Sequence, residues 1–135
     1  MTKLLDIFTE FATDEYLENS GAWHTVNGGA RLLVARAGNR QYAKALTAAV
    51  ERDRKILDAE DDAADARSET IMVDVLADTV LLGWEGVAFK GEELSYSAAN
   101  ARKLLKIRDF RRLVTQLSED SAAYKAKLEV VQGEA

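Results

Sequence analysis

The chain has 135 residues, 47% hydrophobic and 30% charged, which fits one soluble domain large enough to bury a real core. Its net charge of −5 disfavours non-specific binding to nucleic acid or to an anionic membrane. With no cysteine and no proline, disulfides, zinc–thiolate sites, cysteine nucleophiles and polyproline recognition motifs are excluded.

Asp6 and Glu10 interrupt the apolar residues of the N-terminus, which therefore does not read as a signal peptide. No apolar run approaches the roughly 20 residues that span a bilayer. The expectation is a soluble cytoplasmic protein. Leu4, Ile7, Phe8 and Phe11 follow helical spacing and predict an amphipathic helix of about three turns, with Thr2 as its N-cap. Asp14 to Asn19 reads as a further helical turn ended by Gly21. Strands follow near 22–26 and 30–36 around Asn27-Gly28-Gly29, a hairpin signal because Asn-Gly accepts positive φ at low cost.

Gly38-Asn39 breaks the second strand and caps a helix with Tyr42, Ala45, Leu46, Ala49 and Val50 on one face and Ile56 and Leu57 near its end. The acidic stretch near 58–68 reads as a linker, with Ser68 capping the next helix. From Ile71 to Leu82 the apolar positions nearly encircle the axis, the pattern of a buried central helix, which Gly83 and Gly86 would end. Val87 to Tyr96 predicts a second hairpin turning near Lys90-Gly91. Ser97 then caps a helix carrying Ala101, Leu104 and Leu105. A final helix is expected from about Asp109 to Val131, with residues 132–135 frayed. The sum is an α+β fold: one predominantly helical domain over 1–135, with two small β-hairpins packed against a buried central helix.

Few residues carry candidate chemistry. His24, the single histidine, sits in an expected strand with no local triad or metal partners, so it reads as a strand-surface or interface residue. Asp58, Glu60, Asp62 and Glu69 occupy the carboxylate positions of a twelve-residue calcium loop, but Ala63 replaces the glycine of its sharp turn and Asp65 an apolar residue. A solvated linker fits better. There is no phosphate-binding glycine loop and no paired-carboxylate motif, so neither an enzyme nor a cofactor or metal site is expected.

Arg102, Lys103, Lys106, Arg108, Arg111 and Arg112 form a basic cluster that could imitate a helix-turn-helix. Its residues spread around the helix in an acidic chain, which favours solvated faces or salt bridges to acidic partner surfaces. Phe110, Val114, Leu117, Ser121, Tyr124, Leu128 and Val131 keep a heptad spacing with one polar gap, a stripe that could be core or a self-association face. Trp84 reads as core, and the glycines around Trp84-Glu85 suggest a tight corner that could expose Glu85 to a partner.

Two segments resemble a known family. The first is LLVARA leading through Gly38 and Asn39 into a helix with Tyr42, Lys44 and Ala45. The second is Gly83, Trp84, Glu85 and Gly86 in LLGWEGV, then the hairpin, then Ser97, Asn100, Ala101 and Leu104. In this order they resemble the tail assembly chaperones of long-tailed, non-contractile bacteriophages. Members often carry proline after the capping serine, where this chain has Ala98; the first helical position does not require it. The resemblance implies a protein of the infected host's cytoplasm, absent from the mature virion. Such a protein coats the tape measure protein, keeps it soluble and helps recruit the tail tube protein. In many such phages a ribosomal frameshift makes a longer form. Self-association is implied, and nucleic acid and membrane are not expected partners. The alternatives are a small DNA-binding regulator using residues 102–112, or a connector or terminator subunit retained in the tail.

Overall fold

A computed structural model describes residues 4–126. In chain order its α-helices are α1 (Ile7–Phe11), α2 (Glu15–Ser20), α3 (Arg40–Arg52), α4 (Arg54–Asp58), α5 (Asp62–Thr79), α6 (Ala98–Leu105) and α7 (Arg108–Ser118). The strands are β1 (Ala22–Thr25), β2 (Arg31–Val34), β3 (Leu81–Glu85), β4 (Ala88–Phe89) and β5 (Glu92–Glu93). The expected α+β domain, mainly helical with small antiparallel sheets, is what the chain forms.

The centre is α5. Ile71, Val73, Val75, Leu76 and Ala77 are all buried, so the helix must be covered on several sides. The helices α3, α4 and α6 pack against it, and β3 continues directly from its end. One cluster joins Val73, Leu76 and Val80 to Leu32, Val34, Leu81, Trp84, Leu104, Leu105 and Val114. A smaller one sets Ile71 and Val75 against Ala49 of α3.

The stretch near 58–68 is linker only at Ala59 to Asp61, which join α4 to α5; from Asp62 on it is helix. The Asp61 carboxylate accepts from the Ala64 N–H at 2.9 Å and caps α5, and Asp62 and Asp65 lie in the first turn, where the helix dipole favours acids. The alanines between them are strong helix formers. From Asp62 on, the acidic run is therefore the start of the central helix, and Ser68 lies inside it. Nor does α3 run on to Ile56 and Leu57. It stops at Asp53, whose buried carboxylate takes Arg52 at 3.0 Å and Arg67 at 3.3 Å, and α4 follows as a separate short helix. The Arg52 hydrogen bond holds the Asp53 carboxyl below the usual carboxylate range.

Gly83 does not end the central helix either. α5 stops at Thr79, and Leu81 to Glu85 enter a three-stranded antiparallel sheet of order β1-β2-β3. The first expected hairpin is thus two strands of a larger sheet. Leu32 faces Trp84 across it and Val34 faces Leu81, with a bulge between Leu33 and Val34 in this register. Leu81 and Trp84 are three residues apart and would point to opposite faces of a regular strand. The extra residue, Leu82, brings both to the core face. Gly86 (φ +72), in the left-handed region, makes the turn out of β3.

The second hairpin, β4–β5, forms where expected and lies over the core as a flap. Trp84 Nε1 donates to the Leu94 carbonyl at 2.7 Å, and the Tyr96 hydroxyl donates to the Leu81 carbonyl at 2.9 Å. The two rings meet edge-to-face at 5.0 Å. Ser97 Oγ caps α6 by accepting from the Asn100 N–H at 3.0 Å, and Asn100 Nδ2 reaches back to the Ser95 carbonyl.

Asn39 is the hinge between sheet and helices. Gly38 (φ +81) turns the chain after β2. The buried Asn39 side chain then accepts from the Tyr42 N–H at 3.0 Å, capping α3, and donates to the Arg36 carbonyl at 2.8 Å and the Thr79 carbonyl at 3.1 Å. One amide thus joins the end of β2, the start of α3 and the end of α5. Asn39→Ala removes the cap and leaves a buried carbonyl without its partner, and should destabilise the fold by about 2–3 kcal/mol. Urea unfolding of the two proteins measures it; a midpoint unchanged from wild type would contradict this role.

Candidate functional site

The motif residues of the sequence reading serve the fold. Gly38 and Asn39 make the hinge, Trp84 is core, and Ser97 and Asn100 hold the start of α6. Gly83 lies inside β3, and a side chain there would meet Leu33 only at ordinary contact distance. Glu85 is exposed but has a partner within the chain. It faces Arg31 in the sheet register and takes its guanidinium at 3.0 and 3.1 Å, while Arg31 stacks over Trp23.

The heptad stripe is not one continuous helix face among the described residues. α7 ends at Ser118, and a short 3-10 helix, Ser121–Tyr124, follows. Two acids, Glu119 and Asp120, stand where the helix dipole disfavours negative charge. The Asp120 carboxylate instead accepts from the Ala122 N–H at 3.1 Å, a local bond that competes with helix continuation. Val114 and Tyr124 are fully buried, and Phe110 and Leu117 pack against the main core. These four positions are core. Leu128 and Val131, like residues 132–135 and Thr2, lie outside the described residues.

Tyr124 anchors a strap that closes the first part of the chain. Its hydroxyl donates to the Val34 carbonyl at 2.8 Å, and the His24 Nε2 lies 3.4 Å from the Tyr124 hydroxyl oxygen. Beside it, the Asp14 N–H donates to the Tyr124 carbonyl and the Ala126 N–H to the Ala12 carbonyl. The Lys125 ammonium also donates to the Glu10 carbonyl. Burial pushes the Tyr124 hydroxyl up to about 12. His24 is therefore not a surface residue: it is on the inner face of β1, and burial lowers its pKa, with Asp120 partly offsetting.

The basic cluster is divided by the fold. Arg102 is held by Asp74 at 2.9 Å and Asp78 at 2.7 Å, tying α6 to α5. Arg111 donates to the Leu105 carbonyl at 2.8 Å and lies 3.5 Å from Glu69. Lys103 sits over the Phe89 ring. Arg108 and Arg112 are exposed and, among the described residues, form no ion pair. They line a groove of about 360 Å³ between α3, α5 and α7, walled by Tyr42, Met72 and Leu76. As for the calcium-loop spacing, Asp62 and Glu69 are on α5, along a helix rather than around a loop.

The sequence reading missed the most exposed apolar surface. α1 is five residues long rather than three turns, capped by Asp6, whose carboxylate accepts from the Thr9 N–H. Its apolar residues do not pack inward. Leu4 is 89% exposed, and Leu5, Ile7, Phe8 and Phe11 are each at least 60% exposed. Amphipathic spacing was the visible signal, but spacing does not say whether the covering surface belongs to the same molecule.

Among the described residues the fold is thus a small α+β domain with a closed core, an apolar segment outside it and a basic-rimmed groove. The chain belongs to the family described as YdaY prophage protein, whose model matches residues 37–133. It is a phage-derived protein. The match spans the Asn39 hinge, α5, the flap and the groove, and begins after the exposed segment. No curated protein and no solved structure matches the chain.

The His24 shift has a sign. A lowered folded-state pKa means that the unfolded chain takes up the proton first as pH falls. The stability is fully present above the unfolded value near 6.5 and is lost as pH falls through the depressed folded value. Wild type should therefore lose stability on acidification below neutrality, before most carboxylates titrate, and His24→Gln should flatten that slope. Thermal melts across this range compare the two; equal slopes would contradict the assignment.

Proposed function

We propose that this prophage protein is a tail assembly chaperone. It binds the tape measure protein, keeps it soluble in the host cytoplasm and helps recruit tail tube subunits, and it is absent from the mature virion. The observation that carries this reading is the apolar segment 4–11. A soluble monomer gains nothing by holding Leu4, Leu5, Ile7, Phe8 and Phe11 in water, so such a surface marks an interaction site. The phage origin of the family and the order of the Gly38-Asn39 and Gly83-to-Asn100 motifs support it. A holdase needs repeated weak contacts along a long client, which several copies supply by multivalency.

Co-expression with tape measure fragments tests the client. The fragments should move from the pellet to the soluble fraction when the full chain is present; an unchanged partition would reject the client assignment.

The division of the basic cluster favours this reading over a DNA-binding regulator, since Arg102 and Arg111 are engaged with carboxylates of α5. A regulator would bind duplex with a steep salt dependence, and a chaperone would not. A retained connector or terminator is separated by mass spectrometry of purified virions, in which the chaperone should be missing.

A further inference from the structure

We propose that the segment 4–11 of one copy seats in the groove between α3, α5 and α7 of a second copy, so that the protein assembles head to tail. The two surfaces are complementary in shape class and in charge. The segment carries five large apolar side chains and the acids Asp6 and Glu10, with no basic residue. Phe8 and Phe11 are three apart on α1 and share a face. The groove offers apolar walls at Tyr42, Met72 and Leu76 beneath a rim of exposed Arg108 and Arg112, with Arg111 beside them held by Glu69 and Glu119 the single acid among the lining residues. Its volume of about 360 Å³ lies within the range of cavities that enclose apolar groups.

Within one copy the segment does not fill this groove. The chain just after it is bonded to the strap, Asp14 to Tyr124 and Ala12 to Ala126, while its apolar side chains remain in water. Among the described residues, a copy therefore presents an anchored apolar arm and an unfilled basic-rimmed groove at the same time. Because the two surfaces differ, the contact is heterologous, and repetition gives a ring or an open chain rather than a closed pair. The placement moves self-association away from the heptad stripe, whose described positions are core. It rests on the same apolar segment that carries the chaperone reading and assigns it to assembly, leaving the client to the assembled surface; because it is measured on the protein alone, its failure is distinct from failure of the client assignment.

The test uses sedimentation velocity of the full chain over a wide concentration range, with Phe8→Glu as the arm variant and Arg112→Glu as the groove variant. Both sites are exposed, and circular dichroism melts establish that each variant is folded. Wild type should grow beyond a dimer as concentration rises. Each variant alone should associate more weakly by on the order of tenfold or more. An equimolar mixture should form a dimer and stop there, because only the arm of the Arg112→Glu copy and the groove of the Phe8→Glu copy remain intact. A wild-type monomer at every concentration would overturn the proposal. So would a groove variant that assembles like wild type, since the arms would then be pairing with each other or with another face. A mixture that stays monomeric would overturn it as well.

Discussion

The structure depends on one constraint: the second half of α5, from Ile71 to Thr79, is apolar on several sides and must be covered there, while its first half mostly faces water. Three kinds of cover meet this need. α3 and α4 close one side through Ala49 and Leu57, α6 closes another through Ala101 and Leu104, and the sheet closes a third. The sheet is added by continuing the same chain from Thr79 into β3, which places Leu81 and Trp84 beside the helix that precedes them. The bulge at Leu82 is needed for this, because without it one of the two would face solvent. Each buried large apolar side chain contributes about 1.5–3 kcal/mol, so a misfaced strand would forfeit a large part of a marginal stability.

The polar groups inside this core are paired, and the pairing fixes the layout. Asn39 bonds to three separate parts of the backbone, and Trp84, Tyr96 and Tyr124 each donate to a main-chain carbonyl. A buried carbonyl left alone costs about 1–3 kcal/mol, so these bonds discriminate one arrangement from near alternatives. Tyr124 matters beyond stability. By holding the strap against Ala12 and Asp14, it fixes to the domain the chain that follows α1. The anchoring that completes the core is also what presents the apolar arm.

Electrostatics divides the basic residues between two uses. Arg102 bridges two carboxylates one turn apart on α5, and Arg111 reaches a carbonyl at the end of α6. These are stitches between helices. Arg108 and Arg112 remain at the groove rim, where exposed charge adds little to folding but much to the choice and orientation of a partner. In an acidic chain, a small basic rim over apolar walls suits an acidic amphipathic segment better than a phosphate backbone.

Much was legible in the residues. The turn at Asn27-Gly28-Gly29, the caps at Asn39 and Ser97, the flap and the burial of Ile71 to Val80 follow from local chemistry: turn residues, capping side chains and apolar spacing act over a few positions. Phage origin was suggested by motif order and is shown by the family match. The sequence did not settle questions in which two local readings compete and a distant partner chooses. Asp58 to Glu69 reads as a linker, but the capping carboxylate of Asp61 and the helix-forming alanines after it made the chain helical from Asp62 on. Leu81 and Leu82 read as the last turn of α5 before Gly83, but the free edge of β2 drew Leu81 to Glu85 into a strand. Phe110 to Tyr124 kept a heptad period, yet the Asp120 turn ended the helix and Tyr124 reached Val34, ninety residues away. The apolar face of α1 was written in the sequence, but that it lies outside the core was decided only in three dimensions, because burial depends on what else is near, and spacing along the chain does not encode it.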